Sequence, residues 1–191
     1  MNCLIIYSHF NPGSFNHALV EVLMETLGKS HQVKVRDLYA LSFNPVLTVQ
    51  DMEGLERGTP SPDVQAEQDL VRWADALFFV FPIWWSSMPA IMKGYIDRIF
   101  SFGFAYTMGE MGPQGLLQGK KVYLINTTGA DEETNKQHGV FQGIQNLIDM
   151  GIFQFCGMEV AGHQYFAAVP YVSDEERTVM ISKFRSVVER L

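Results

Sequence analysis

The stretch from Ala76 to Phe100 constrains this chain more than any other. It opens with an unbroken apolar run, Ala76-Leu77-Phe78-Phe79-Val80-Phe81, and stops at Pro82. A short apolar run bounded by a proline suits a strand buried on both faces, as in a parallel sheet. Pro82 has no N–H to give to a ladder, so it is expected to mark where pairing ends. Two tryptophans and two serines follow, then Pro89, which fits the first position of a helix. Ile91, Met92, Tyr95, Ile96, Ile99 and Phe100 recur at helical spacing, with Lys93, Asp97 and Arg98 on the wetter side.

Trp84 and Trp85 sit in that strand-to-helix loop. In open α/β sheets, ligands bind in the crevice beyond the carboxyl ends of the strands. Indole planes there can lie against a flat aromatic ligand. They can equally cover a sheet edge or fill an oligomer interface.

A chain of 191 residues is expected to form one domain, 1–191, with a sizeable core. Its 14 Lys and Arg against 21 Asp and Glu give a formal charge of −7, which argues against nucleic acid or an anionic membrane as the main partner. No apolar run approaches the roughly 20 residues of a membrane span. The N-terminus begins with a strand-like run and shows no basic leader pattern. Cys3 and Cys156 form neither a disulfide framework nor a metal motif, and their apolar surroundings suit inert core residues. The expectation is a soluble cytoplasmic protein with no metal site.

Along the chain, strand and helix signals alternate. Asn2 to Tyr7 reads as a buried strand, followed by turn chemistry at Ser8–Ser14 and a helix from Phe15 to Leu27, with Gly28 as a C′ residue. The first loop lacks a dinucleotide fingerprint and a Walker lysine. Its hydroxyls, Asn and His before a helix N-terminus can still hold a phosphate. Ser14 alone also reads as a simple N-cap. Gln32 to Leu38 alternates like a strand nearer an edge. Tyr39 to Pro62 is long and irregular, with a short helical turn expected near Gln50–Leu55. Ser61-Pro62-Asp63 starts a helix through Trp73.

Beyond the central helix lies a second aromatic cluster, Phe102 to Tyr106. Met108 to Gln118 reads as a flexible loop. A strand over Lys121–Asn126 ends in Thr127-Thr128-Gly129, followed by a polar loop from Ala130 to His138. A helix is expected over Gly139–Met150, and Gly157 to Phe166 holds the last strand. Ser173 and Glu176 form a capping box for the final helix.

Five strands with helices between them predict a flavodoxin-like three-layer α/β sandwich. It has a five-stranded parallel sheet of order 2-1-3-4-5 and helices on both faces. That order brings three strand ends to one crevice. They carry His9 with Ser14-Phe15-Asn16, Pro82-Ile83-Trp84-Trp85, and Thr127-Thr128-Gly129. A phosphate pocket, an aromatic platform and a polar rim together match what a flavin needs.

The chain resembles the NAD(P)H:quinone oxidoreductase (DT-diaphorase) family of flavodoxin-like flavoenzymes nearly end to end. The likeness is carried by the three segments above, by Ser61-Pro62-Asp63, Ala66-Glu67-Gln68, Pro89-Ala90 and Lys93-Gly94. It continues through Phe104-Ala105-Tyr106-Thr107, His138-Gly139 and Phe155-Cys156-Gly157.

The resemblance implies roles. His9, Ser14, Phe15 and Asn16 would hold the flavin phosphates. Pro82, Ile83, Trp84 and Trp85 would line the isoalloxazine, and Thr127, Thr128 and Gly129 would meet its pyrimidine end. His138 matches the family's active-site histidine. Tyr106 would reach the substrate pocket of a partner subunit, since the family forms homodimers. Mammalian-type members carry a tyrosine six residues before that histidine. Here Glu132 stands in its place, so His138 would act alone or with Glu132. Met108 replaces a second pocket aromatic.

The implied activity is ping-pong, two-electron transfer from NAD(P)H through the flavin to quinones or similar acceptors. The implied cofactor is FAD, from the length of the Phe43–Pro62 segment, with FMN as the alternative. A nitro- or azo-reductase would use the same site, and a flavin-binding ancillary subunit of a transporter is a different-class alternative.

Overall fold

A computed structural model describes residues 1–191. The first strand, β1 (Asn2–Tyr7), is buried almost throughout, as its apolar sequence requires. Ser14 then caps α1 (Phe15–Leu27), its hydroxyl accepting from the His17 amide at 3.2 Å. Gly28 closes α1 in the right-handed region, φ −62°, and not in the left-handed C′ turn expected from its type. Its N–H already bonds the Met24 carbonyl at 3.0 Å, so no left-handed residue is needed to satisfy that group. The edge strand β2 (Gln32–Asp37) follows.

The irregular segment after β2 contains α2 (Val49–Glu56), opened by a capping box between Thr48 and Asp51. The next helix, α3 (Pro62–Trp73), begins at Pro62 as expected. Ser61 does not cap it; its hydroxyl donates to Asp51 Oδ1 at 3.0 Å. The far end of α3 is held by two side chains from outside it. Asn2 Nδ2 donates to the Trp73 carbonyl at 2.9 Å, and Lys120 Nζ to the Arg72 and Ala74 carbonyls at 3.0 and 2.6 Å.

The central strand β3 (Ala76–Pro82) is buried at every residue. Pairing does not stop before Pro82, which stands in register with Thr127. The missing proline N–H costs nothing there, because the rung is made by the Ile83 N–H to the Thr127 carbonyl at 2.8 Å. Pro89 is the cap of α4 (Ala90–Ile99) rather than its first residue. Its ψ of 149° is extended, so helical geometry starts one residue later.

Where a flexible loop was expected after α4, the chain forms a hairpin of β4 (Tyr106–Gly109) and β5 (Gly112–Gly115). Glycine, proline and methionine conceal it in the sequence. Tertiary bonds hold it, from the Leu116 N–H to the Ala105 carbonyl at 2.8 Å and the Leu117 N–H to the Cys156 carbonyl at 2.9 Å. The strand β6 (Lys121–Thr127) then leads to a second unexpected element, α5 (Glu132–Gln137), capped by Asp131. Gly139, at φ +66°, turns the chain into α6 (Val140–Ile144). Instead of continuing as an α-helix to Met150, the chain widens into a π-helix over Gln145–Gln154. The last elements are β7 (Glu159–Phe166) and α7 (Asp174–Val188), the latter with the Ser173–Glu176 capping box.

The main sheet is fully parallel in the order β2-β1-β3-β6-β7. With the hairpin left out of the count, this is the expected 2-1-3-4-5 order of a flavodoxin-like fold. One apolar core lies between the sheet and α3, α4 and the π-helix; a second lies under α1 and α7. No helix is long and apolar enough to cross a membrane.

A polar clamp ties down the long segment before α3. The Arg98 guanidinium donates to both Asp51 oxygens, to Asp63 Oδ2 at 2.7 Å and to the Asn44 carbonyl at 3.0 Å. Close by, Pro45 packs directly on Gly94 of α4, where any Cβ would overlap the Pro45 carbonyl. A mid-helix glycine is unfavourable by roughly 0.5–1 kcal/mol relative to alanine, and here it makes room for a crossing chain.

Candidate functional site

The C-terminal ends of β1, β3 and β6 open into one cleft of about 1060 Å³. All of the residues assigned to cofactor binding from sequence line it: His9, Ser14, Phe15, Asn16, Pro82, Ile83, Trp84, Trp85, Thr127, Thr128 and Gly129.

The first wall is the loop from β1 into α1. It is folded by its own side chains. The Asn11 N–H donates to His9 Nδ1 at 3.0 Å, and the Gly13 N–H to Asn11 Oδ1 at 2.9 Å. Burial lowers the proton affinity of His9 below its ordinary value. The Phe15 and Asn16 N–H groups have no partner in the chain and stand at the positive end of the α1 dipole. That arrangement is one that can seat an anion. Ser14 combines both of its readings: it caps α1 and lines the cleft. Asn16 is buried; its Nδ2 donates to Thr127 Oγ1 at 2.8 Å, while its Oδ1 has no partner.

The second wall is the turn after β3. The Trp84 N–H bonds the Ser87 carbonyl at 2.9 Å, and the Ser87 N–H bonds the Trp84 carbonyl at 3.0 Å. Between them, Trp85 and Ser86 both adopt left-handed conformations, at φ +51° and +58°. Turns of this kind favour Asn-Gly, and each non-glycine residue held so costs about 1–3 kcal/mol. The turn leaves the N–H groups of Trp85 and Ser86 without a partner in the chain. The Trp85 indole is fully exposed, and Trp84 lies 6.1 Å from the His9 ring and 6.2 Å from Phe10.

The third wall follows β6. The Thr128 hydroxyl donates to the Ala130 carbonyl at 2.8 Å. The buried Asn135 amide reaches back from α5 to Thr128 Oγ1 at 3.1 Å and to the carbonyls of Ala130 and Asp131 at 3.0 and 2.8 Å. The polar helix α5 therefore serves to hold the Thr127–Gly129 loop in place.

A fourth wall was not apparent from sequence. Val169 and Pro170 line the cleft with Asp174, Arg177, Thr178 and Ile181 of α7. Arg177 is fixed by donating to the Val169 carbonyl at 3.0 Å and to Asp174 Oδ1 at 2.7 Å. Nothing in the local sequence marks these residues. Only the packing of α7 beside α1 brings them to the site.

Tyr106 and His138 lie outside this cleft within the single chain. Tyr106 lines an apolar cleft of about 680 Å³, with its ring centroid 5.7 Å from that of Phe102 and 5.1 Å from that of Phe155. His138 is exposed at the end of α5, with Nδ1 2.9 Å from the Thr134 carbonyl. Glu132 pairs with Lys136 at 2.5 Å and makes no bond to His138. The Phe43–Pro62 segment contributes nothing to the large cleft; Leu47, Met52, Leu55 and Glu56 line the apolar one instead. The argument for FAD from that segment's length therefore finds no support within the chain, because the segment packs on α4.

A family model described as a flavodoxin-like fold matches residues 1–187. An uncharacterized NAD(P)H oxidoreductase of Haemophilus influenzae is 35% identical over 184 residues, covering 95% of this chain and 91% of the relative. NAD(P)H dehydrogenase (quinone) 1 of Cavia porcellus is 33% identical over 210 residues, covering 98% and 76%. The solved NAD(P)H:quinone oxidoreductase of Methanothermobacter marburgensis matches with a TM-score of 0.86 at 25% identity, covering 99% of this chain and 98% of that one. With the family model spanning almost the whole sequence and such relatives covering most of their length, the chain belongs to the flavodoxin-like family, alongside the NAD(P)H:quinone oxidoreductases.

Proposed function

We propose that the protein is a flavin-dependent NAD(P)H:quinone oxidoreductase of the cytoplasm, acting through one flavin-binding domain over residues 1–191. The observation that carries this reading is the convergence of an anion seat, an aromatic turn and a polar rim on one cleft. When bound, a flavin supplies two-electron transfer between NAD(P)H and a quinone-like acceptor. The free N–H groups of Phe15 and Asn16 suit its phosphate. Trp84 and Trp85 suit one side of its ring, and the unpaired N–H groups of Trp85 and Ser86 suit the ring heteroatoms. Thr127–Gly129 offers polar groups to the ring edge.

The proposed choice of FAD over FMN rests on a different feature from the one read in the sequence. It continues past the phosphate seat to α7, where Arg177 offers a cation and Asp174 an acceptor for sugar hydroxyls. Tyr106, Phe102 and Phe155 form an apolar surface suited to a second copy of the chain, whose cleft they would help to complete. His138 holds its Nδ1–H on the Thr134 carbonyl and leaves Nε2 free, so as the imidazolium it would donate from Nε2 to charge developing on the ring, without Glu132.

Purified protein is expected to be yellow, to release FAD on denaturation, and to reduce menadione with NADH or NADPH as a homodimer. A colourless protein that takes up neither FAD nor FMN overturns the reading. An acceptor panel with azo dyes and nitroaromatics then sets the acceptor class.

A further inference from the structure

Beneath the cleft lies a buried polar row that no part of the reading above uses. Asp149 stands on the π-helix, His163 on β7 and Asn126 on β6. His163 Nδ1 is 2.9 and 3.1 Å from the two Asp149 oxygens, and its Nε2 is 2.7 Å from Asn126 Oδ1. Asn126 Nδ2 in turn donates to the Phe81 carbonyl of β3 at 3.0 Å. All three residues are largely buried, and none lines the large cleft. Tyr165 packs against the row, its ring stacked 4.2 Å from that of His163.

The row has a fixed sense. The Phe81 carbonyl only accepts, so it faces the Asn126 NH₂ and turns the amide oxygen toward His163. That oxygen also only accepts, so Nε2 carries a hydrogen, and a second proton lies between Nδ1 and the Asp149 carboxylate, which otherwise would face each other as two acceptors. The Asn126 neighbours on this face, Val122 and Leu124, are apolar core residues. Apolar residues would serve stability alone at least as well as a buried polar trio. What the trio adds is direction, because it ties the carboxyl ends of β3 and β6 to the middle of β7. The residues following Phe81 and Asn126 are Pro82 and Thr127, which begin two walls of the cleft.

We propose that Asp149, His163 and Asn126 are positioning residues that hold the ends of β3 and β6 at a fixed separation, and so set the gap that receives the ring. The ring-binding part rests on the flavin reading; the positioning of the strands does not. The phosphate seat hangs from β1 and α1, outside this row, so the row should govern ring affinity and not the gain from a phosphate.

Two measurements on the full chain test this. Amide hydrogen exchange in the flavin-free protein reads the Ile83 N–H, the rung to Thr127, against the Ser8 N–H, bonded to Val80 on the other side of β3. His163→Ala is expected to speed exchange at Ile83 by about three- to thirtyfold and to leave Ser8 unchanged. Asp149→Ala gives a smaller effect in the same direction. Asp149→Asn, which can donate to Nδ1 and keep the Nε2 hydrogen on Asn126, stays close to wild type. Titration with riboflavin and with FMN well below the melting temperature is the second measurement. Both dissociation constants should rise together by about three- to thirtyfold in His163→Ala, with their ratio unchanged.

Unchanged Ile83 exchange in folded His163→Ala overturns the proposal, and so does Asp149→Asn behaving like Asp149→Ala. If His163→Ala does not fold, the two Asp149 variants carry the comparison. A wild-type protein that binds neither flavin defeats the functional reading, while Ile83 exchange still decides whether the row positions the strands.

Discussion

Arg98 and Asp51 meet as a buried pair, each 4% exposed, with Nη2 2.9 Å from Oδ1 and Nε 3.2 Å from Oδ2. The guanidinium hydrogen bonds hold the Asp51 carboxyl well below the usual carboxylate range, against burial, which pulls the other way. A carboxyl depressed on folding gives stability that is complete above its unfolded value, about pH 3.9, and is lost as pH falls toward the folded value. The wild-type protein should therefore lose stability in acid more steeply than Asp51→Asn does. Arg98→Ala leaves a buried charge unpaired and should cost about 3–5 kcal/mol at neutral pH. Urea unfolding between pH 7 and pH 3 reads both effects. Equal acid slopes in wild type and Asp51→Asn would show that the pair has no part in acid stability.

Ser86 occupies a left-handed conformation at φ +58° that a serine side chain disfavours. Ser86→Gly should raise stability by about 0.5–1 kcal/mol, the relieved strain outweighing the greater freedom of an unfolded glycine. Ser86→Val should lower it. A thermal melt that ranks valine above glycine would mean the turn is not held as described.

Trp85 is fully exposed, so Trp85→Ala should leave the melting temperature of the flavin-free protein unchanged. Flavin affinity should fall by about 0.5–1.5 kcal/mol from the lost aromatic contact. Fluorescence titration measures it, and wild-type affinity in both Trp84→Ala and Trp85→Ala would move the ring platform elsewhere.

If the bound flavin is FAD, as proposed, Arg177 is the residue expected to separate it from shorter flavins. Arg177→Gln should weaken FAD by about 1–2 kcal/mol, the loss of a charge-assisted contact, while riboflavin binds as before. Equal losses for the two ligands would mean that α7 does not meet the dinucleotide's far end.

His138→Ala should slow flavin bleaching by NADH and NADPH by about ten- to a thousandfold with flavin affinity little changed. Glu132→Gln should have almost no effect, because Glu132 is taken by Lys136. Stopped-flow rates equal to wild type in His138→Ala would make this a surface histidine.

Much of the sheet was legible because its strands are short apolar runs with clear punctuation. Ser173 and Glu176 announced α7, and Pro62 announced α3. The misses share a cause: their structure is set by contacts that sequence spacing does not encode. The hairpin of β4 and β5 has the composition of a loop. The α5 segment is polar on every side and is read as helix only once Asp131 and Asn135 are seen to anchor it. A π-helix shifts side chains off the 3.6-residue period, and nothing local linked Asp149 to His163, a pairing made across two elements. The residues read from sequence as cofactor-binding come together in one cleft because three strand ends must converge in this strand order. Arg177 was missed because it sits on a helix whose position only the folded core decides.

That last placement has a consequence for how the protein is made. The cleft is closed by His9 near the start of the chain and by Asp174, Arg177 and Ile181 near its end. A ribosome that has delivered the first strands and the aromatic turn has not yet delivered the wall that completes the cleft. A nascent chain therefore exposes an open, one-sided trough, and the cleft is complete only once α7 has left the exit tunnel and docked beside α1.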